Sequence, residues 1–308
     1  MFLENVKTAA GQVAILYLIV LIGFLCDKGK IFTEKTARKL IDLLLYIMTP
    51  CMIVNSFLNM ECTGETIKMF FISLGVAFAT HFIAITLNFP FFRKKNYTDP
   101  VYKYASIYGN VGFMALPLAQ AVLGAEGVFY CASGVIAFNI ITFTHGVKVM
   151  SGDEFKVNFK SLILNPGVIS VIIGLPLFLL KIKLPDIIAE PVDMVGSMTT
   201  PTAMLIFGTY LSNTDLKTMF LDKKIYLVAL LKLVALPLIC LGVYRFCGIT
   251  GALIVAISIT ASVPSANNTF MFATKYNKDA FAASKTVALV SFLSIITMPV
   301  IIAIAQSV

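Results

Sequence analysis

The 308-residue sequence predicts an all-α membrane protein of ten spans arranged as two related halves, and three observations carry that prediction. Hydrophobic residues make up 58% of the chain and charged residues 13%, with a mean hydropathy of +0.90. That leaves too little polar surface to cover a soluble domain of this size. Apolar runs of membrane-crossing length follow one another along the whole chain. Finally, Asp42 precedes a Thr49-Pro50 step as Asp193 precedes a Thr200-Pro201 step, a repeat at an offset of 151 residues.

The first five runs cover about 9–26, 40–58, 66–92, 101–123 and 126–147, and the second five 166–182, 188–211, 224–246, 249–274 and 280–305. Each is longer than a barrel strand and lacks the alternation of one, so each reads as a helix. The first has no small-residue cleavage site and leads into a basic loop, which marks it as a span and not a removed leader. The same ungapped offset pairs Val20, Ile22 and Gly23 with Val171, Ile173 and Gly174, His81 with Lys232, and Ala132 and Ser133 with Ala283 and Ser284. The expected organisation is therefore a first five-helix repeat over residues 1–150, a cytoplasmic linker over 151–165, and a second repeat over 166–308.

The formal charge of +8 does not mark a nucleic-acid binder, because no basic face with interleaved aromatics forms. Lys and Arg concentrate in the loops after spans 1, 3, 5, 7 and 9, for example Lys28, Lys30, Lys35, Arg93 and Lys94. By the positive-inside rule both termini face outward from the cytoplasmic membrane. Five spans per half then invert the second half relative to the first. The six cysteines show no metal-ligand spacing, and no HExxH, GxSxG or GxGD motif is present, so no metal, cofactor or enzymatic activity is expected.

Spans 4 and 9 are irregular. Span 4 contains Gly109-Asn110-Val111-Gly112 through Pro117, and span 9 contains Val263-Pro264-Ser265-Ala266-Asn267-Asn268-Thr269. Glycine and proline weaken the helical ladder at both places and free backbone groups for new partners. Interrupted helices in corresponding positions point to a transporter's binding site. These two segments, with Tyr108, Phe113, Tyr276 and Asp279-Ala280, resemble the auxin efflux carrier family, whose members include plant PIN carriers and bacterial malate or malonate permeases. The resemblance spans essentially the whole chain, which lacks the long cytoplasmic loop of the plant carriers. It implies a scaffold domain and a transport (crossover) domain, each built from both repeats, and discontinuous helices 4 and 9 that cross at their breaks. That is the elevator-type architecture of bile-acid/sodium symporter-like folds.

The expected function is secondary transport of a small organic anion, a carboxylate, by alternating access. The resemblance implies that Asn110 and Asn268 lie at the substrate, and amide donors suit a carboxylate that must shed its water. Gly109, Pro117, Pro264, Ser265, Asn267 and Thr269 complete the candidate substrate site. His81 and Lys232, near the middle of spans 3 and 8, and Asp42 and Asp193 are candidates for charge or proton coupling, because ionisable groups in hydrocarbon are costly. Structural pairing of these four is the alternative reading, and His145 is expected to meet interfacial water. The expected partners are the anion, the lipid bilayer, a proton and a second copy through the scaffold domain. A sodium or proton antiporter, or a sensor that binds without transporting, are the competing functions.

Overall fold

The computed structural model describes residues 2–94, 96–152, 164–213, 220 and 222–308, apart from the side chains of 2–10, 12 and 34. Most of the linker expected over 151–165 lies outside the described residues, as does Lys95. The described chain is helical throughout: α1 Phe2–Lys28, α2 Lys35–Leu58, α3 Gly64–Asn88, α4 Asp99–Ile107, α5 Val111–Ser151, α6 Pro166–Leu179, α7 Asp186–Ser197, α8 Thr199–Ser212, α9 Lys223–Phe246, α10 Gly251–Ser262, α11 Asn268–Lys275 and α12 Ala280–Ser307. Among the described residues five of them, α2, α3, α5, α9 and α12, are long and apolar enough to cross a bilayer, and α6 and α10 are shorter apolar helices.

Prolines follow three of the four π-helical turns among the described residues; the fourth, Thr142–Gly146, leads into Val147. A π-helical turn over Leu44–Met48 precedes Thr49-Pro50, another over Val111–Ala115 precedes Leu116-Pro117, and a third over Leu230–Ala235 precedes Leu236-Pro237. A proline has no N–H, and its ring clashes with the carbonyl four residues back, so widening the preceding turn lets the helix continue. The second Thr-Pro step, Thr200-Pro201, falls in the first turn of α8, where a missing N–H costs nothing. Within α5, Gly124 has a φ of 64°, a conformation that glycine adopts freely, and it divides the helix near the boundary expected between spans 4 and 5.

Packing is reciprocal between the halves: α1 lies on α8, and α6 lies on the second part of α2. At the first contact Gly23 and Gly208 let two backbones touch, since a Cβ on either would strike the other helix's main chain. At the second, Gly174 receives the ring of Phe57, whose Cδ2 would lie 2.7 Å from an added Cβ. Phe57 and Gly208 are themselves 151 positions apart, so one crossing closes on two glycines where its counterpart admits a phenyl ring. That ring is fully buried and meets Phe70 and Phe129 edge-on at 5.5 and 5.0 Å. Small residues at the interface are how helices approach closely in lipid, where burial alone supplies little drive. α5 packs on both α3 and α10.

Candidate functional site

Both interruptions have local causes. α4 stops at Tyr108, whose ψ of 120° is extended, and helix resumes only at Val111. α10 stops at Val263, with ψ 145°, because Pro264 offers no N–H to continue the ladder and disfavours helix in the residue before it. The two extended stretches lie antiparallel. The Asn110 N–H donates to Pro264 O at 2.8 Å and the Ala266 N–H donates to Tyr108 O at 2.9 Å, forming an isolated bridge between Gly109 and Ser265. Bridge partners are 156 positions apart, five more than the 151 of the flanking helices, so the second half carries five extra residues between Lys232 and its interruption.

Two helices start within three residues of this bridge, and helix starts present unpaired N–H groups with partial positive charge. At the first, Asn110 is buried, and its Oδ1 accepts the Phe113 N–H at 3.2 Å. At the second, Asn267 is the cap residue and Asn268 the first residue of α11; both are half-buried, and neither side chain has a hydrogen-bond partner among the described residues. The backbone N–H groups of Gly112, Asn267 and Asn268 are likewise unpaired among the described residues. Pro117 is buried in the first turn after the π turn, and Thr269 turns its hydroxyl inward to Ala266 O at 2.6 Å.

Lys232 and His81 stand against the bridge. A cavity of about 20 Å³ is lined by His81, Lys232, Gly109, Thr80, Thr260 and Gly134 among others. That volume holds a water molecule and no carboxylate substrate. His81 Nδ1 lies 2.8 Å from Ala77 O and must donate to it, which leaves Nε2 as an acceptor in the neutral ring. Lys232 is 2% exposed as a residue, and its Nζ donates to Ala261 O at 3.2 Å. Neither group has a carboxylate within ion-pair distance among the described residues. The amides Asn110, Asn267 and Asn268 do not line this cavity, so the candidate residues divide into an amide group and a His81–Lys232 group.

Asp42 and Asp193 stand apart from both groups. Each is exposed on the surface of the folded chain, and Asp193 accepts Nδ2 of Asn55 at 2.7 Å. Asp42 lies on the polar side of the amphipathic first part of α2, a face that sequence depth along a span does not reveal.

At one end of the bundle Asp222 caps α9 through the Lys224 N–H at 2.9 Å and accepts the Tyr102 hydroxyl, while Asp279 caps α12 and accepts the Thr98 hydroxyl at 3.2 Å. Asp99 there takes the Lys224 ammonium at 2.8 Å. Burial pushes the Asp99 carboxyl up, but hydrogen bonds from Lys224 and Asn96, the Lys224 charge and the Lys94 N–H together hold it below the usual aspartate range.

The sequence matches the membrane transport protein family over residues 8–160 and 154–302. The chain belongs to that family, the one that contains the auxin efflux carriers. It is also similar to the uncharacterized transporter MJ1031 of Methanocaldococcus jannaschii, with 22% identity over 297 residues covering 93% of this chain and 95% of that protein.

In this transporter the sequence assigned Tyr108 no role, and it named Gly109 without the reason for its glycine. Tyr108 accepts one of the two hydrogen bonds of the bridge through its carbonyl, is fully buried, and has its hydroxyl 2.8 Å from Nδ1 of the half-buried His145. His145 thus pairs with an interruption residue, where interfacial water was expected. Gly109 is glycine for space: an added Cβ would lie 2.8 Å from Val263 Cγ2 and 2.9 Å from Lys232 Nζ, and its φ is not positive. Tyr108 flanks the Gly-Asn pair directly, which was the available signal; the approach of Lys232 had none in the sequence.

Proposed function

We propose that this transporter moves a small organic anion, a carboxylate, across the cytoplasmic membrane by an elevator-type alternating-access mechanism. The observation that carries the reading is the antiparallel bridge beside which two helices start, with N–H groups and the amides Asn267 and Asn268 unpaired among the described residues. Such donors can replace the water of a carboxylate without the fixed ion pair that would hold it too tightly to release. Asn110, Gly109, Pro117, Pro264, Ser265, Asn268 and Thr269 fall in or beside the interrupted stretches. A sodium antiporter fits less well, because neither interruption contains an aspartate or glutamate to cage the ion.

In this reading the reciprocal packing of α1 on α8 and α6 on α2 belongs to a scaffold shared by both repeats, and the crossing pair of spans 4 and 9 to the part that moves. The ten-span topology has both termini outside. Single cysteines at Lys30 and Lys94, introduced after removal of the six native ones, should label only from the cytoplasmic side, and one at Ser307 only from outside. The function itself is tested by loading purified protein into liposomes and following a panel of mono- and dicarboxylates that includes malate and malonate. Accumulation of at least one of them without sodium is the expected result, and a protein that binds but never translocates them is a sensor instead.

A further inference from the structure

The carbonyl ends of the interrupted helices are finished differently from each other. The last carbonyls of a helix have no partner in the ladder and together carry about half a negative charge. In α4, Ala105 O accepts the Ser265 hydroxyl at 2.7 Å. The position 156 residues after Ala105 is Ala261, near the end of α10, and its carbonyl accepts from Lys232 Nζ instead. By the same register the counterpart of Ser265 is Gly109, which has no hydroxyl to offer. Lys232 Nζ and Cε lie 2.9 and 3.2 Å from where a Cβ of residue 109 would be, so the lysine fills the room that the glycine leaves.

We propose that Lys232 is a tethered cation that does at this crossing the work of a bound coupling ion, a proposal that rests on the organic-anion reading above. The α10 end, of about half a negative charge, meets the ammonium through Ala261 O, while the α4 end takes the Ser265 hydroxyl and has the ammonium beside the Gly109 that follows it. A buried ammonium with no carboxylate partner among the described residues is costly to keep, and a neutral donor would satisfy Ala261 O as Ser265 satisfies Ala105 O. What the lysine adds is its charge. The positive helix starts at Val111 and Asn268 are then left to the anion, and no free sodium ion is needed at the α10 carbonyl end.

The test uses no transported substrate, so it reads out even if the organic-anion assignment fails. Thermal unfolding of purified parent, Lys232→Ala and Lys232→Gln is compared in choline, sodium and methylammonium chloride at equal ionic strength. The parent should be indifferent to the cation. Lys232→Ala should melt lower and regain most of the loss in methylammonium, which replaces the missing charge by mass action, with a smaller gain in sodium. If Lys232→Ala does not fold, Lys232→Gln carries the test: it keeps a donor for Ala261 O and removes the charge, and should melt below the parent in choline and gain in sodium or methylammonium. A Lys232→Gln protein that melts like the parent, or folded variants whose loss no cation changes, would overturn the proposal.

Discussion

At the first interruption Asn110 is 5% exposed and its Oδ1 is committed to the Phe113 N–H, whereas at the second Asn267 and Asn268 are half-buried and commit no side-chain hydrogen bond to the described protein. The backbones meet as equals, each donating one N–H across the bridge at 2.8 or 2.9 Å. The difference lies in what each side chain is already doing. An amide that caps its own helix holds the interruption in shape, and an amide with no partner is available to a ligand. Stability and substrate binding should therefore separate between the two sites.

That separation can be broken most directly at the glycines. Gly109→Ala forces a methyl group against Val263 and Lys232 and should cost about 1–3 kcal/mol, as overpacking does. Gly112→Ala, three residues on, meets nothing within 4 Å and should leave the melting temperature of the detergent-solubilised protein almost unchanged. Next in size, Ser265→Ala strands the Ala105 carbonyl in a buried place and should cost about 1–2 kcal/mol. Asn110→Ala should then lose about 1 kcal/mol with its cap as well as impairing uptake. Asn268→Ala should shift stability by no more than about 0.5 kcal/mol while still impairing uptake. If both asparagine variants lose stability alike, the contrast between them is wrong.

The smallest effect is expected far from the crossing. Asp99 titrates lower in the folded protein than in the unfolded chain, so its contribution is fully present above about pH 4 and is lost as pH falls through the lower folded value. Melting temperature measured down to acid pH should fall less steeply for Asp99→Asn than for the parent.

Much of this crossing could be read from the sequence, because its causes are local. Proline at position 264 and glycine with asparagine at 109 and 110 act on their own backbone, and they place the breaks without reference to any neighbour. The partners of buried polar groups follow from three-dimensional register instead. The offset of 151 matches His81 to Lys232 but not Gly109 to Ser265, whose 156 emerges only when the bridge is seen. The lysine's place beside Gly109 was hidden for that reason. The surroundings of Asp42 and Asp193 were hidden for another reason: depth along a span is legible as a count of residues, but the face of the helix depends on what packs against it, and both carboxylates lie on exposed faces of the folded chain.

Under the proposed function, the amides at the second interruption receive the transported anion. Uptake of the carboxylate panel into liposomes, in sodium-free buffer, compares parent with Asn268→Ala at matched protein content and matched melting temperature. The parent should accumulate at least one carboxylate, and the variant should take it up about tenfold more slowly or not at all, the equivalent of one lost donor to a charged group. Equal uptake by the two proteins, or no carboxylate moved by the parent, would contradict it.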